Sequence, residues 1–576
     1  MKFLYYCAFL LLVIKLCACS APAVDTSTVS VRWTHDPESL DPLLYLSSGN
    51  STQAINLLYS SLIGVDYVKQ VKVPLLAEAL PTMRYTDSLT FITYRLRDEA
   101  VWDDGQPVLA KDVAFTLAVM NCPELPNETA RAQFSFIEQV QFDSTDSRRF
   151  TFVCQGRSPE YEFSSGDFPI LPAHIFDPKG SLYKIPLVKL RNAALAQSAA
   201  VQTFVQRYQQ AQLAHHPMRL PGCGPYRLQK WEPGRYIVFQ HKANWWGNRV
   251  TPTPVQLQAY PRTISFEIIP DENTALLAFR RGQVDVYPRM PAREFDRLRQ
   301  SANAKKFAFF TSNSYETLTA GFNVRRPTLH DRLTRQALTK LFDIPALIAG
   351  TQLGYADRSV GLISTRQKEF YNDSLPLPSY DPAAAIALLR QAGWRRQPAG
   401  AWQRTTATGK TQRLALRFSY RTGEPAYEAT ALQFREAAAT IGIPVALLPT
   451  ERSLLDAQMK AGEVDMFLRS IGGNPTEFNF APILHSGYIA SGNFNAFGTP
   501  SSDALIEELA AAESFPRKRQ LLRRFQKMMQ EESPFVVLYF FRYRLAADAR
   551  FTGLQVSGLK PGYNVMTIRP KQANAG

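Results

Sequence analysis

Cysteine and histidine are scarce in this sequence, and no hydrophobic run is long enough to cross a membrane. Of the six cysteines in 576 residues, only Cys122, Cys154 and Cys223 lie beyond the first 20 positions. Cysteine this sparse excludes a disulfide scaffold and a four-cysteine zinc site. The apolar stretch at residues 3–14 is shorter than the roughly 20 residues that a transmembrane helix needs. We therefore expect a globular chain that does not span a membrane.

The motifs of familiar enzymes are also missing. The sequence has no Gly-x-Ser-x-Gly, no His-Glu-x-x-His and no Gly-x-x-x-x-Gly-Lys-Ser/Thr, and its seven histidines are mostly isolated. The doublet His215-His216 does not supply enough ligands to close a metal site. We therefore predict that the protein is not an enzyme and that it carries no metal or cofactor.

Positive charge exceeds negative charge without being concentrated in any segment. The chain has 65 lysines and arginines against 50 acidic residues, a net charge of +15, but the basic residues form no stripe or arm. This distribution does not predict a nucleic-acid partner. It favours solvated basic faces and a bias toward anionic ligands or surfaces.

The N-terminus has the features of an export signal. Lys2 precedes the apolar run, and Leu16-Cys17-Ala18-Cys19 resembles a lipobox, in which cleavage leaves Cys19 as a lipidated N-terminus. The alternative is an ordinary signal peptide that contains cysteines. Two acyl chains on one cysteine suffice for stable anchoring, so the lipobox predicts a chain held at a membrane surface.

The clearest local pattern is a strand, a tight turn and a helix at residues 89–120. Ile92, Tyr94 and Leu96 alternate with polar residues, Gly105 permits the turn, and apolar residues then recur at helical spacing from Val113. Later segments repeat helix, glycine and a Val-Asp strand, which is typical of α/β units. Ligands of open α/β sheets bind beyond the carboxyl ends of strands, here near Pro288 and residues 469–470.

Several segments together resemble the bacterial solute-binding proteins of family 5, the large binding lipoproteins of peptide-type ABC importers. The matching stretches are Leu-Asp-Pro at 40–42, Pro-Leu-Leu-Ala-Glu at 74–78, Trp-Asp-Asp-Gly-Gln-Pro at 102–107, Gly-Cys-Gly-Pro-Tyr at 222–226, Asn-Trp-Trp-Gly at 244–247 and Asp-Pro to Gly-Trp at 381–394. One departure is Leu109, which stands where the family commonly has a helix-capping Thr or Ser.

The resemblance implies an α/β fold of the two-lobed periplasmic-binding-protein type (type II, large class), with an extra subdomain, mixed sheets and hinge strands. The expected divisions are a signal peptide at 1–18, the first lobe at 19–63, the extra subdomain at 64–190, the rest of the first lobe with a helical insertion at 191–262, the second lobe at 263–532, and return strands with a tail at 533–576. Hinge strands are expected near Arg262 and at 539–545.

The resemblance also implies a function. The chain is expected to be a monomer, lipid-anchored on the periplasmic side of the bacterial cell envelope, that captures a peptide or peptide-like solute and delivers it to ABC permease subunits. Two alternatives stay open: an envelope enzyme acting on peptide or peptidoglycan fragments, and a ligand sensor or scaffold with the same fold. In an oxidising envelope, Cys122 and Cys154 could form a disulfide or remain two buried thiols.

The candidate ligand contacts lie in the loop after the second Val-Asp strand. In peptide-binding members of the family this loop carries a Trp and an Asp, and residues 469–479 of this sequence contain neither. Arg469 could bind a carboxylate, Glu477 could replace the missing Asp, and Asn474 offers both a donor and an acceptor. Weaker candidates for the opposing wall are Ser47, Ser48 and Asn323.

Overall fold

The computed structural model describes residues 27–44, 48–192, 195, 198–398, 400–406, 408–475, 478–489 and 491–571. Its strands are β1 (Thr28–Trp33), β2 (Ile63–Val65), β3 (Lys72–Pro74), β4 (Thr82–Tyr85), β5 (Leu89–Arg95), β6 (Ile137–Phe142), β7 (Arg149–Gln155), β8 (Tyr226–Glu232), β9 (Tyr236–His241), β10 (Thr263–Ile268), β11 (Val286–Pro288), β12 (Phe307–Phe322), β13 (Ala356–Asp357), β14 (Arg395–Arg396), β15 (Trp402–Thr405), β16 (Thr411–Arg413), β17 (Leu416–Arg421), β18 (Val445–Thr450), β19 (Met466–Ile471), β20 (Phe535–Asp548), β21 (Phe551–Thr552), β22 (Gln555–Val556), β23 (Tyr563–Asn564) and β24 (Arg569–Pro570).

Helices alternate with these strands along the chain. The α-helices span Gly49–Leu58, Ala110–Asn121, Glu128–Gln133, Tyr161–Ser164, Ala173–Phe176, Leu187–Leu190, Ala199–Ala211, Glu272–Arg280, Ala292–Arg299, Arg332–Thr339, Ile344–Leu347, Pro382–Gln391, Pro425–Thr440, Arg452–Lys460, Ala481–Leu484, Pro500–Ala510 and Phe515–Glu532. Within the described ranges, none of these helices combines the length and apolar character needed to cross a bilayer.

One mixed sheet runs through the whole molecule. Its strand order is β18-β17-β19-β12-β20-β11-β1-β10-β9-β8, with β13 beside β20. β12 and β20 are antiparallel partners from Phe307↔Asp548 to Gly321↔Phe535. The strands on one side of this pair belong to the first lobe, and β17, β18 and β19 belong to the second. β12 and β20 therefore carry the connection between the lobes.

The predicted boundary between residues 262 and 263 is wrong. β10 pairs in parallel with β1 and antiparallel with β9, and Ile264 and Phe266 lie in the core of the first lobe. The first hinge strand is β12 instead of a segment near Arg262, whereas β20 contains the second predicted hinge segment. A strand pattern along the chain does not reveal which strand it pairs with, and this accounts for the error.

The extra subdomain is built on the sheet β4-β5-β7-β6. Ile92 and Tyr94 of β5 are buried, as their alternation predicts, and so is Leu96 just after the strand. The helix Ala110–Asn121 follows, and its N-cap Leu109 makes no side-chain cap hydrogen bond. Asp112 compensates, because its carboxylate accepts hydrogen bonds from the backbone amides of Leu109 and Ala173, both at 2.8 Å.

The disulfide considered between Cys122 and Cys154 is not formed. Cys122, Cys154 and Cys223 are free, buried thiols. Burial raises the pKa of each thiol to about 12, so all three are protonated at neutral pH. The Cys122 thiol donates to the carbonyl of Pro123 at the end of its helix, whereas Cys154 packs within β7.

Candidate functional site

The two lobes face each other at the ends of their strands. Glu38 lies beyond β1 in the first lobe, and Arg452 begins the helix after β18 in the second. The guanidinium of Arg452 is 3.6 Å from the carboxylate of Glu38. Burial raises the pKa of Glu272, beyond β10, and the charge of Glu424 on the second lobe adds to the rise. The carboxyl ends of parallel strands from both lobes thus border one cleft, the place where such sheets bind ligands.

Both signs of charge line the rim of this cleft. Arg421, at the end of β17, pairs with Glu424 at 2.9 Å. Burial lowers the pKa of His35, and the charges of Arg452 and Arg421 lower it further. The imidazole is therefore neutral at pH 7, when it offers one donor and one acceptor. A ligand that carries both an ammonium group and a carboxylate is complementary to this rim.

The loop after β19 forms one end of the cleft. The side chain of Gln367 donates to the carbonyls of Asn474 at 3.1 Å and Pro475 at 3.0 Å. A Cβ atom on Gly473 would lie 2.9 Å from the carbonyl oxygen of Tyr315, so glycine permits this close approach. A cavity of about 30 Å³ beside the loop is lined by Tyr315, Leu362, Gln367, Gly473, Asn474, Phe478, Phe480 and Phe540. Four of these eight residues are aromatic, and a cavity of this volume has room for about one water molecule.

A buried carboxylate lies where the hinge strands pass between the lobes. Glu316 is in an irregular stretch of β12 and is 4% exposed. It accepts hydrogen bonds from Arg289 at 2.5 Å, Lys560 at 2.9 Å and Tyr543 at 2.8 Å. Burial alone would raise the pKa of Glu316, but the charges of Arg289 and Lys560 hold it well below its ordinary value. The network ties β12 and β20 to the end of β11 and to the C-terminal segment.

The extra subdomain contacts the second lobe directly. Glu160 and Lys518 form an ion pair of 2.8 Å, and each side chain is 13% exposed. Arg157 pairs with Glu513 at 2.8 Å, and the Ser158 hydroxyl donates to the carbonyl of Ala510 at 2.8 Å. We call Arg157, Ser158 and Glu160 with their partners the interlobe latch. It connects the extra subdomain to the second lobe.

The sequence model of bacterial extracellular solute-binding proteins, family 5, matches residues 72–490. The chain belongs to this family. The family consists of binding proteins, which confirms the prediction that the chain is not an enzyme. Among the residues that the structure describes, no group of three or more His, Cys, Asp or Glu side chains is placed to hold a metal ion.

This family 5 chain is similar to several known proteins over most of its length. The peptidoglycan-binding protein YepA of Agrobacterium fabrum is 23% identical over 572 residues, which cover 87% of this chain and 83% of YepA. The oligopeptide-binding protein AppA of Bacillus subtilis, solved with a nonapeptide, superposes with a TM-score of 0.77 at 19% identity over 95% of this chain and 99% of AppA. NikZ of Campylobacter jejuni, solved with Ni(L-His), gives 0.73 at 18% identity over 95% and 100%. These likenesses confirm the predicted fold class.

Two predicted contacts lie near the cleft end of β19. Arg469 donates to the carbonyl of Gly492 at 3.1 Å, and its guanidinium lies 4.7 Å from the ring centroid of Phe494. Burial lowers the pKa of Arg469, and Asp456 opposes this effect. Asn474 lines the small aromatic cavity. Glu477 lies outside the described residues, so its role stays a prediction.

Two weaker candidates, Asn323 and Ser48, have structural roles. The amide of Asn323 donates to the carbonyls of Gly462 and Val464, both at 3.1 Å. Because β12 is antiparallel to β19, the end of β12 lies at the start of β19, far from the cleft. The hydroxyl of Ser48 caps the helix Gly49–Leu58 by accepting from the amide of Ser51. Ser47 lies outside the described residues.

Sequence reasoning missed the polar groups that connect the lobes. Glu316 had a usable signal, because it is the one charged residue in the sequence of β12. A lone charge in a strand bordered by buried positions indicates a partner nearby. Glu160 and Lys518 had no such signal, since both occur among other charged residues and are 358 positions apart.

Proposed function

We propose that this family 5 protein is the lipid-anchored solute-binding component of an ABC importer, and that it captures a peptide or peptide-like solute between its lobes. The observation that carries the proposal is the cleft, where Glu38 and Arg452 face each other between two lobes joined by β12 and β20. Lobes joined by strands can close about a hinge on binding. Closure gives a permease a shape by which to distinguish loaded from empty protein.

The chemistry of the rim supports a peptide-like ligand. Arg421 and Arg452 offer cations, and Glu38, Glu272 and Glu424 offer carboxylates, so both termini of a peptide could be paired. AppA was solved with a nonapeptide, and the name of YepA states peptidoglycan binding. A peptide fragment of peptidoglycan is therefore a specific candidate within the proposed ligand class.

Native mass spectrometry of protein purified from its own cells tests the ligand class. We expect adducts with peptide masses, released on denaturation and sequenced by tandem fragmentation. Muropeptides would appear as peptides attached to amino-sugar masses. Elemental analysis of the same sample for nickel tests whether the protein instead binds a nickel chelate, as NikZ does. Nickel without a peptide adduct would contradict the proposal.

Replacing Cys19 with serine should release the protein from the membrane fraction. The lipidated cysteine is the proposed anchor, and two acyl chains account for stable attachment. Fractionation of cells followed by immunoblotting measures the change. Cys17→Ser, two positions upstream, is the matched control and should leave the protein in the membrane fraction. Continued membrane association of the Cys19→Ser protein would exclude the lipid anchor.

Arg469→Met should weaken binding of a peptide by more than about tenfold, because the lost ion pair with a ligand carboxylate is worth roughly 2–5 kcal/mol. Within the described residues, the guanidinium has no carboxylate at ion-pair distance, and methionine preserves packing against Phe494. Titration calorimetry with the peptide found by mass spectrometry measures the effect. A C-terminally amidated peptide should bind wild type and variant equally. Equal binding of the free-acid peptide to both proteins would place the carboxylate elsewhere.

A further inference from the structure

Exposed basic side chains gather at the outer end of the first lobe, opposite the cleft. We call this surface the basal edge, and it comprises Arg262, Arg280, Arg281, Lys305, Lys306 and Lys571. All six residues are exposed. In the part of the chain that the structure describes, none of the six makes an ion pair with a carboxylate.

Backbone hydrogen bonds show that these residues share one end of the sheet with the first described residues. The amide of Arg262 donates to the carbonyl of Ser27 at 2.9 Å. Further along the same edge, amides donate to carbonyls in the pairs Asp285 to Ser30, Asp548 to Asp285, Ala549 to Lys306 and Lys571 to Arg550, at 2.8–2.9 Å. Gly282, at φ 72°, ends the helix that presents Arg280 and Arg281 beside Asp285.

The carboxylates at this edge do not neutralise the six basic residues. Asp285 is 2% exposed and pairs with Arg550, and Asp548 lies 3.8 Å from the same guanidinium. Both carboxylates therefore lie next to Arg550 and not next to the six exposed basic residues. Leu277, one turn before Arg280 and Arg281, is 48% exposed. The edge thus presents net positive charge together with an exposed apolar side chain.

We propose that the basal edge lies against the anionic headgroups of the membrane to which the chain is tethered. The inference rests on the proposed lipid anchor for the tether. Cys19 is eight positions before Ser27, so an extended linker reaches at most about 28 Å from the membrane. Within that reach the edge can approach to a Debye length, about 10 Å, where each basic residue is attracted to anionic lipid.

This orientation fixes the direction of the cleft. β12 has 16 residues and begins at the basal edge with Phe307, so it extends about 50 Å toward the far end of the second lobe. With the basal edge on the membrane, the second lobe stands away from it. The cleft then opens sideways, parallel to the membrane surface.

Vesicle co-sedimentation tests the proposal with residues 20–576, which include every described residue and lack Cys19. We expect binding to phosphatidylcholine vesicles that contain about one-third phosphatidylglycerol, no binding to pure phosphatidylcholine, and release at high salt. Reversing Arg280, Arg281, Lys305 and Lys306 to glutamate should weaken binding by at least about tenfold. The control reverses four exposed basic residues near the far end of the second lobe, namely Arg390, Arg395, Lys410 and Arg413, and should retain binding within about twofold.

The outcomes are distinguishable. If both quadruple variants lose vesicle binding equally, binding depends on net charge alone, and the proposal is overturned. Equal binding to neutral vesicles, or stronger binding to single-stranded RNA than to anionic vesicles, would overturn it as well. Circular dichroism checks that both variants are folded. Because the tested protein lacks Cys19, failure of the lipid anchor in the fractionation experiment leaves this assay unaffected.

Discussion

Glu316→Gln should lower the free energy of unfolding by about 2–3 kcal/mol at pH 7. Glutamine would keep the shape but turn an amide nitrogen toward Arg289 or Lys560. Breaking a buried ion pair costs about 3–5 kcal/mol. The side chains of Arg289 and Lys560 are 50% and 48% exposed, so water solvates them after the change and reduces that cost. Guanidinium unfolding followed by tryptophan fluorescence measures the difference.

The pH dependence separates the charge of Glu316 from its shape. The folded-state pKa of Glu316 is depressed, so its stabilising contribution is complete above the ordinary glutamate pKa, 4.5, and is lost as the pH falls toward the folded value. Wild type should therefore lose stability faster than Glu316→Gln between neutral pH and about pH 3. A constant difference across that range would mean that the carboxylate charge contributes nothing.

Glu160→Gln should open the interlobe latch. It leaves Lys518 without its carboxylate and weakens the hydrogen bond that Glu160 accepts from the amide of Phe478 at 3.3 Å. A hydrogen bond to a charged group is worth about 1.5–3 kcal/mol, which corresponds to a shift of roughly 10- to 150-fold toward the open form. Peptide affinity should fall correspondingly, and the radius of gyration of the empty protein should rise.

Small-angle scattering and titration calorimetry measure these two effects. Glu508→Gln is the matched control, because Glu508 pairs with Arg517 at 2.9 Å between two helices of the second lobe. It removes an ion pair of nearly the same length that makes no contact with the first lobe, although its side chains are 49% and 45% exposed. A Glu160→Gln protein as compact as wild type, with unchanged affinity, would show that the latch does not hold the lobes together.

Local patterns along the sequence predicted local structure well. The strand at Leu89–Arg95, the turn at Gly105 and the helix Ala110–Asn121 all follow from alternation, glycine and helical spacing. The missing cap at Leu109 was also expected. What the pattern did not reveal was the role of Asp112, whose carboxylate accepts from the amide of Ala173, 61 positions away.

Long-range pairing explains what the sequence could not predict. β10 resembles the start of a second lobe, but its partner β1 lies over 230 positions earlier. Asn323 follows a strand, yet the direction of β12 puts that strand end away from the cleft. The network of Glu316 joins Arg289 to Lys560, and no spacing rule connects residues so far apart.

The path of β12 and β20 also determines the order in which the two lobes can be completed during synthesis. The second lobe lies on one continuous segment, between β12 and the first half of β20. The first lobe begins at β1, but its core includes residues from the end of the chain: Leu545, Ala547, Phe551, Tyr563, Val565 and Ile568. A chain that emerges from its N-terminus at about 5–20 residues per second therefore finishes its later lobe first. The lobe that is begun first stays incomplete until the final residues arrive.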